Sequence, residues 1–408
     1  MSTTRTFVIV GGGVAAAEAA KTLHAEGYAD RLVVVTDEPR PPYERPPLTK
    51  EYLRGEAGDE KLVKLPASFY DAAGIELRTG VRAVGLDVAG RSVALGDGTS
   101  IRFDRLLLAT GSRAVRPRLD GIDASWAHVI RTAEDADRLR EAAGRSASVV
   151  VAGGGWIAAE AAASLRQLGL AVTLVVPGAQ VLERHVGAEV GLELGALHER
   201  QGVRVIRSSR VTELRDEAGG RVVVLDTGET LATDLAVLGF GASPALELAI
   251  AAGLATHDGV LVDEHLQTTT GVVFAAGDVA AAWNPRYRDR VRSAHWDNAR
   301  RQGRTAARNM LGGAEVYDRV PYFFSDQFDL GMEVLGRPDL GTQQHVRRLD
   351  EGMVVVWTRD GVVVAGAHTN AWDSKKPLDR LISSGATIDP VAISDPAVPL
   401  EALAAAPA

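Results

Sequence analysis

Short apolar runs alternate with segments of helical composition along most of the chain. The first run, 7–10, is followed by the glycine turn 11–13, a helix-compatible segment at 17–23, and a second apolar run at 32–35. Short apolar runs bounded by turn residues are typical of strands buried in a parallel sheet. This order therefore predicts a strand, a glycine turn, a helix and a strand, which together make one βαβ unit.

The same order of elements occurs a second time, and this pair is the only internal repeat of the sequence. The apolar run 148–152 leads into the turn 153–158, a predicted helix at 159–168 and a strand at 172–176. More strands of the same kind are predicted by three further apolar runs, at 105–111, 235–241 and 271–278. Strands that alternate with helices indicate an α/β fold, here with two Rossmann-like dinucleotide-binding domains.

The pattern changes at about residue 316. Strand-like segments now follow one another without long helices between them, at 322–324, 353–357 and 362–365. Such a succession predicts an antiparallel sheet in a small C-terminal α+β domain. The alanine- and proline-rich end, 392–408, is expected to be a frayed tail.

The first glycine turn has the residues that a dinucleotide requires. Gly11 permits a tight turn, Gly13 lets the backbone approach a pyrophosphate, and the small residue Ala16 allows close packing of helix on strand. The start of the helix then offers free N–H groups and a partial positive charge to the phosphates. Asp37 lies 21 positions after Ala16, where an acid can bond a ribose hydroxyl. The stretch predicts a bound adenine dinucleotide; the alternative is an ordinary βαβ turn.

The second unit lacks the corresponding acid. Val176 occupies that position and is followed by Pro177-Gly178, so the hydrogen bond that favours an unphosphorylated adenosine is missing. No basic residue at 176–178 would bind a 2′-phosphate either, although Arg184 is close in sequence. The preference between NADH and NADPH stays open at this point.

Composition and charge narrow the function class. The chain has 408 residues, 46% hydrophobic and 24% charged, as in a soluble globular protein of two or three domains. Its net charge of −8 disfavours nucleic acid as the main partner. No apolar stretch is long enough to span a bilayer, and the N-terminus does not have the pattern of a signal peptide, so a cytoplasmic location is expected.

The sequence contains no cysteine. This excludes a structural disulfide, a thiolate metal site and a catalytic dithiol, and no metal site is predicted. Any redox chemistry must therefore use a bound cofactor. Two dinucleotide units in one chain suggest that electrons pass from one dinucleotide to the other.

Two further segments each allow two interpretations. The stiff proline-rich loop 41–50 carries Arg45 and Lys50, which either hold a basic group against a cofactor or are solvated charges on a surface linker. Asp278 ends a predicted strand, where it would reach a cofactor sugar or phosphate, or it caps a following helix.

A cluster of arginines reverses the local charge between residues 286 and 308. It would steer an acidic protein partner, or it is a solvated helix face paired with local acids. The cluster consists of Arg286, Arg288, Arg290, Arg292, Arg300, Arg301, Arg304 and Arg308.

The chain resembles the FAD-dependent ferredoxin reductases of bacterial oxygenase and cytochrome P450 systems, a group that includes putidaredoxin reductase and rubredoxin reductase. More distantly, it is similar to apoptosis-inducing factor. The resemblance covers essentially the whole chain. It is carried by 11–16 with Asp37, the loop PYERPPLTK at 42–50, ATG at 109–111, the second turn at 153–160, AGD at 276–278 and PYFFSDQ at 321–327.

The resemblance implies a glutathione-reductase-like arrangement with an FAD-binding domain in two parts, 1–112 and 241–315. An inserted NAD(P)-binding domain spans 113–240, and the C-terminal α+β domain spans 316–408. Motifs and resemblance together predict the FAD-binding residues Gly11, Gly13, Val14, Ala15, Ala16, Asp37, Arg45, Lys50, Ala83, Thr110, Gly111, Arg131, Asp278 and Trp296. The predicted NAD(P)-binding residues are Gly153, Gly155, Trp156, Ile157, Glu160, Arg184 and Gly241.

The resemblance also implies that Lys50 and Glu160 pair beside the flavin as the catalytic residues. The lysine would stabilise charge on the reduced ring while the acid neutralises the lysine; the alternative is a plain interdomain salt bridge. The expected activity is transfer of electrons from NADH, or alternatively NADPH, through FAD to an acidic ferredoxin-type iron–sulfur protein that serves an oxygenase or cytochrome P450.

Two other functions remain open. One is an NAD(P)H oxidase, or a reductase of quinones or small radicals, without a protein partner. The other is a redox-sensing protein like apoptosis-inducing factor, which would change its conformation or partners on reduction.

Overall fold

The computed structural model describes residues 4–403. Contacts within the chain divide it into two units, each assembled from three segments. The first unit comprises Met1–Pro47, Ala57–Arg113 and Ala242–Arg319. The second comprises Leu48–Glu56, Ala114–Gly241 and Val320–Ala408.

A five-stranded parallel sheet forms the core of the first unit. Four of its strands are largely apolar and buried because both faces of the sheet are covered, as in other parallel sheets, whereas the edge strand Glu76–Arg78 is half-buried. In spatial order they are Val273–Ala275, Arg105–Leu108, Thr6–Val10, Arg31–Val35 and Glu76–Arg78. The first helix, Val14–Ala25, packs against the last helix of the unit, Trp296–Met310. Gly303 makes this possible, since a Cβ there would lie 2.4 Å from the carbonyl oxygen of Ala15.

Smaller elements complete the first unit. An antiparallel sheet is formed by Ala83–Asp87, Ser92–Leu95 and Ser100–Arg102, and a mixed sheet by Val260–Val262, Ala280–Asn284 and Asp289–Val291. Two short strands, Ser112–Ala114 and Ala242–Pro244, pair where the chain leaves and re-enters the unit. The short helices are Asp59–Leu62, Ala67–Ala72 and Glu247–Ala251. A 3₁₀ turn at Pro46–Thr49 spans the boundary between the segments Met1–Pro47 and Leu48–Glu56.

The second unit repeats the parallel sheet. Its strands, in spatial order, are Arg204–Ile206, Ala171–Val175, Ser148–Ala152, Leu235–Leu238 and Ala127–His128. Three helices accompany this sheet: Ala133–Ala143, Trp156–Gln167 and Glu183–Arg200. A separate antiparallel sheet contains Val211–Glu217, Gly220–Leu225 and Thr230–Thr233.

The C-terminal part of the second unit is an antiparallel sheet covered by helices. The strand order is Tyr322–Gln327, Leu330–Gly336, Val362–Thr369, Met353–Arg359 and Gln343–Arg348. The helices are Lys375–Ser384, Pro390–Ser394 and Leu400–Leu403, with 3₁₀ turns at Pro338–Leu340 and Trp372–Ser374. Their apolar residues form a separate core with the sheet.

The predicted fold class is confirmed: two Rossmann-like units and a C-terminal α+β part are present. Two local expectations are wrong. The helices after the glycine turns begin at Val14 and Trp156, three residues earlier than predicted, because Gly13 and Gly155 already occupy the extended N-cap position. The end of the chain is not frayed from residue 392 to 403, since short helices bury Ile393 and Leu400. Residues 404–408 lie outside the described part.

Between residues 4 and 403, no helix has both the length and the apolar character needed to cross a membrane.

Candidate functional site

The carboxyl ends of the parallel strands in the first unit bring several predicted flavin residues to one edge of the sheet. The glycine turn follows strand Thr6–Val10, Thr110 and Gly111 follow strand Arg105–Leu108, and Asp278 follows strand Val273–Ala275. Ligands of such sheets bind beyond this edge. The geometry therefore agrees with a nucleotide site here.

The first glycine turn leaves room for a phosphate. Gly11 has φ +150°, and a Cβ there would lie 2.0 Å from the carbonyl oxygen of Ala109, so only glycine fits. At Gly13 an added Cβ would meet no atom within 4 Å, and no side chain caps the helix that follows. An uncapped helix start beside open space at Gly13 fits the pyrophosphate of FAD.

The proline-rich loop packs directly on this turn. The Tyr43 N–H donates to the Gly12 carbonyl oxygen at 3.1 Å, and Tyr43 is 1% exposed. Arg45 lies with its guanidinium 4.9 Å from the Tyr43 ring centroid and forms a 2.7 Å ion pair with Glu38. Burial lowers the pKa of Arg45, but Tyr43 and Glu38 outweigh it and raise the pKa above its usual range. The loop is therefore not a plain surface linker.

The acid against the glycine turn is Glu38, which the sequence analysis did not select. Its carboxylate accepts hydrogen bonds from Arg45 and from the Tyr43 hydroxyl, whereas Asp37 is exposed. Which of the adjacent acids Asp37 and Glu38 lies against the turn depends on the contacts of the proline-rich loop. The pattern of strand and turn in the sequence does not indicate those contacts.

Asp278 has a defined environment in the first unit. The Ser112 hydroxyl donates to its Oδ2 at 2.6 Å, and the negative charge of Asp278 contributes to raising the pKa of Arg45. The strand Ala280–Asn284 follows Asp278 instead of a helix, so the helix-cap interpretation is wrong.

The remaining predicted flavin residues occupy separate elements. Ala83 begins strand Ala83–Asp87, and Trp296 begins helix Trp296–Met310, with the Arg300 guanidinium 4.6 Å from its ring. Arg131 belongs to the second unit, where its N–H donates to Asp135 at 3.1 Å.

The second glycine turn repeats the geometry of the first. Gly153 has φ +134° and a Cβ there would lie 2.3 Å from the Gly239 carbonyl oxygen, whereas Gly155 faces open space. This cradle fits the pyrophosphate of a nicotinamide dinucleotide. Ile157 in the first turn of the helix is 42% exposed, and Gly241 with φ +94° follows the adjacent strand.

Val176 is buried beside this second turn, where a Cβ on Gly154 would come within 2.9 Å of it. Arg184 is exposed near the start of helix Glu183–Arg200. Two serines missed by the sequence analysis lie here: the Ser208 N–H donates to the Gly178 carbonyl oxygen and the Ser209 N–H to that of Val176.

Helix Trp156–Gln167 aligns three contacts along one face, at positions spaced by four. Trp156 stacks on Phe323, with centroids 6.1 Å apart, and Glu160 accepts from the Ser325 hydroxyl at 2.6 Å. Ser164 donates to the Thr49 carbonyl oxygen at 2.6 Å. Residues four apart share a helix face and residues two apart share a strand face, so strand Tyr322–Gln327 matches the helix.

Lys50 and Glu160 are brought together within the second unit. The Lys50 Nζ is 3.6 Å from Glu160 Oε1 and 3.3 Å from Asp326 Oδ2, and it lies 4.7 Å from the Phe324 ring centroid. Glu160 makes its closest hydrogen bonds to hydroxyl groups instead, with Thr49 Oγ1 2.5 Å from Oε2. Lys50 and Glu160 are each less than one-tenth exposed.

The arginine cluster is largely neutralised along the helix. Acids pair with five of its members: Arg292 with Asp258, Arg300 and Arg301 with Asp297, Arg304 with Glu18, and Arg308 with Glu26 and Glu315. On the hairpin before the helix, Arg288 is exposed at the tip and Arg290 donates to the carbonyl oxygen of Val262. The hairpin is thus the part of the cluster best suited to meet an acidic partner.

A second buried acid lies on the C-terminal sheet. Glu333 accepts hydrogen bonds from His368 Nε2 at 2.8 Å, Lys375 Nζ at 2.9 Å and the Tyr322 hydroxyl. Burial raises the pKa of Glu333, but these three donors outweigh it and lower the pKa to about 2. The carboxylate is therefore ionised at neutral pH.

Comparison with known proteins extends this picture over the whole chain. A family model described as pyridine nucleotide-disulphide oxidoreductase matches residues 5–303, and one described as reductase C-terminal matches residues 322–404. The chain is 38% identical over 401 residues to the ferredoxin–NAD(+) reductase component of the anthranilate 1,2-dioxygenase system of Burkholderia cepacia. The alignment covers 97% of this chain and 98% of that protein.

Solved structures give the same result. The ferredoxin reductase for the CYP199A2 system from Rhodopseudomonas palustris matches with a TM-score of 0.94 and 31% identity, covering 98% of this chain and all of that one. Putidaredoxin reductase in its covalent complex with putidaredoxin matches with a TM-score of 0.92 and 30% identity, covering 98% of each chain.

Proposed function

The chain belongs to the pyridine nucleotide-disulphide oxidoreductase family, and on this basis we propose that it passes electrons from NADH through FAD to a ferredoxin-type iron–sulfur protein. The observation that carries the proposal is the full-length similarity to reductases whose names specify NAD(+) and ferredoxin. The match of residues 322–404 to the reductase C-terminal model supports it. When bound, FAD supplies the chemistry that links the two-electron donor NADH to a one-electron iron–sulfur acceptor. The partner would be an acidic protein that serves an oxygenase or cytochrome P450.

The proposed domains follow the sequence prediction: FAD-binding segments 1–112 and 241–315, an NAD(P)-binding segment 113–240, and the C-terminal segment 316–408. The open space at Gly13 and the uncapped helix start support FAD binding at the first turn. The same features at Gly155 support dinucleotide binding at the second. No cysteine is available for disulfide chemistry, so electrons must leave through the flavin.

Lys50 and Glu160 are proposed as the charged pair that acts on the flavin. Lys50 donates one hydrogen bond to Asp326, and Glu160 is occupied by two hydroxyl donors. The Lys50 ammonium therefore keeps further N–H groups that can stabilise negative charge on a reduced ring. The Lys50 Nζ also lies 4.7 Å from the Phe324 ring centroid, and the ring face attracts a cation electrostatically.

NADH is the proposed donor, with NADPH as the alternative, since a buried valine replaces the acid that would discriminate between them. A cytoplasmic location also remains a prediction, which fractionation of the native host would test.

The function is tested by supplying the purified flavoprotein with NADH and a panel of ferredoxins. We expect rapid reduction of at least one acidic ferredoxin and much slower consumption of oxygen. Fast turnover with oxygen or quinones and none with any ferredoxin would indicate an oxidase or quinone reductase instead. Slow reduction with a change of oligomeric state would indicate a redox-sensing protein.

A further inference from the structure

A chain of hydrogen-bonded side chains runs from Glu160 into the interior of the second unit. Ser325 Oγ lies 2.6 Å from Glu160 Oε1, and Gln327 Nε2 lies 3.1 Å from Ser325 Oγ. At the far end, His198 Nε2 lies 2.8 Å from Gln327 Oε1. Ser325, Gln327 and His198 are at most 1% exposed, so water cannot replace any of these contacts.

The charge of Glu160 sets the direction of every hydrogen bond in this chain. A carboxylate only accepts, so the Ser325 hydroxyl must donate to it, and the Ser325 oxygen then accepts from the amide NH₂ of Gln327. The carbonyl oxygen of Gln327 is thereby turned toward His198. Nε2 of His198 must carry the proton in order to donate to that oxygen, which leaves Nδ1 unprotonated.

The surroundings of His198 agree with this tautomer. Nδ1 is buried and meets no hydrogen-bond partner in the part of the chain that the structure describes. A buried acceptor without a partner is less costly than a buried N–H without one, so the proton is better placed on Nε2. Burial lowers the pKa of His198 and outweighs the hydrogen bond with Gln327, which raises it. The ring is therefore neutral at neutral pH.

We propose that Gln327 and His198 are positioning residues that hold the Ser325 hydroxyl in its donating orientation toward Glu160. With Ser325 on Oε1 and Thr49 on Oε2, both carboxylate oxygens are occupied, and Lys50 stays 3.6 Å away without a direct hydrogen bond. The inference rests on the proposed function, because its consequence is that the Lys50 N–H groups not bonded to Asp326 remain available to the flavin. Without the hydrogen bonds from Gln327 and His198, the Ser325 hydroxyl can rotate away, and Glu160 can then accept a hydrogen bond from Lys50 instead.

The first test measures the His198 tautomer directly, by ¹⁵N NMR of the histidine-labelled holoprotein. The sequence has nine histidines, and the spectrum of His198→Gln assigns the signal. We expect a protonated Nε2 and an unprotonated Nδ1, and loss of this pattern in Gln327→Met. A proton on Nδ1 in the wild type would overturn the proposal. This outcome is independent of whether the protein reduces any ferredoxin.

The second test measures flavin reduction by NADH in stopped flow, separating the limiting rate from the NADH dissociation constant. Ser325→Ala and Gln327→Met should each lower the limiting rate about tenfold, the effect of losing a hydrogen bond to a charged group, with less than a twofold change in NADH affinity. Ser325→Ala deletes only one hydroxyl, so it tests the proposal even if Gln327→Met does not fold.

Rescue distinguishes positioning from packing. His198→Gln places an amide N–H near the position of Nε2, so its limiting rate of flavin reduction should stay within about threefold of the wild type. His198→Leu has no such N–H, and its rate should fall further. His345→Leu is the matched control, since His345 bonds Thr358 at 2.9 Å elsewhere in the same unit. Rates equal to that of the wild type in Ser325→Ala, Gln327→Met and His198→Leu would contradict the proposal. So would equal losses in His198→Gln and His198→Leu.

Discussion

Replacing Glu333 with glutamine should cost stability in a way that depends on pH. Glu333 is 9% exposed, and its carboxylate receives hydrogen bonds from His368, Lys375 and Tyr322. Because burial is outweighed by these donors, the folded protein lowers the pKa of Glu333 from 4.5 to about 2. This difference of about 2.5 in pKa corresponds to about 3 kcal/mol of stabilisation at pH 7.

The sign follows from the direction of the pKa change. Folding favours the ionised carboxylate, so its contribution is complete well above pH 4.5 and is lost as the pH falls toward 2. About 1.4 kcal/mol of it should already be gone at pH 3.5. Glu333→Gln lacks this contribution at every pH, so the wild type and the variant should converge in stability on acidification.

The assay is urea unfolding of both proteins at pH 7, 5 and 3.5, followed by far-UV circular dichroism. Glu351→Gln is the matched control: Glu351 is exposed, and its loss should change stability by less than about 0.5 kcal/mol. A stability difference between the wild type and Glu333→Gln that stays constant with pH would refute the reasoning. So would a variant as stable as the wild type at pH 7.

Three other changes test the nucleotide and partner sites. Gly13→Ala should weaken FAD binding at least tenfold in a fluorescence titration. It should not destabilise the flavin-free protein, because Gly13 has φ −108° and an added Cβ there meets open space. Gly219→Ala, also in open space, should leave the FAD affinity unchanged. Val176→Glu should raise the kcat/KM preference for NADH over NADPH at least tenfold through repulsion of the 2′-phosphate, and an unchanged ratio would show that 176 does not face the ribose. Arg288→Glu should raise the KM for an acidic ferredoxin and flatten its salt dependence while ferricyanide reduction stays constant, whereas equal effects on both acceptors would exclude docking at the hairpin.

The periodic part of the molecule is readable from sequence. Apolar runs predicted seven of the ten strands of the two parallel sheets, but not the edge strands Glu76–Arg78, Ala127–His128 and Arg204–Ile206. The glycines at 11 and 153 indicate turns that only glycine can make, because each closely approaches a neighbouring carbonyl oxygen. Contacts between distant segments carry no such period. His198 bonds Gln327 across 129 residues of sequence. Arg45 of the proline-rich loop bonds Glu38, and the path of that loop depends on tertiary packing.

The central claim is that one dinucleotide binds at each glycine turn and that electrons pass between them. Its most direct measurement is anaerobic mixing of the purified, FAD-loaded protein with NADH, with the flavin absorbance followed in time. The account predicts stoichiometric FAD and complete bleaching by NADH, followed by recovery of the flavin colour when an oxidised ferredoxin is added. A protein that takes up no FAD when it is offered, or one whose bound flavin neither NADH nor NADPH can bleach, would contradict it.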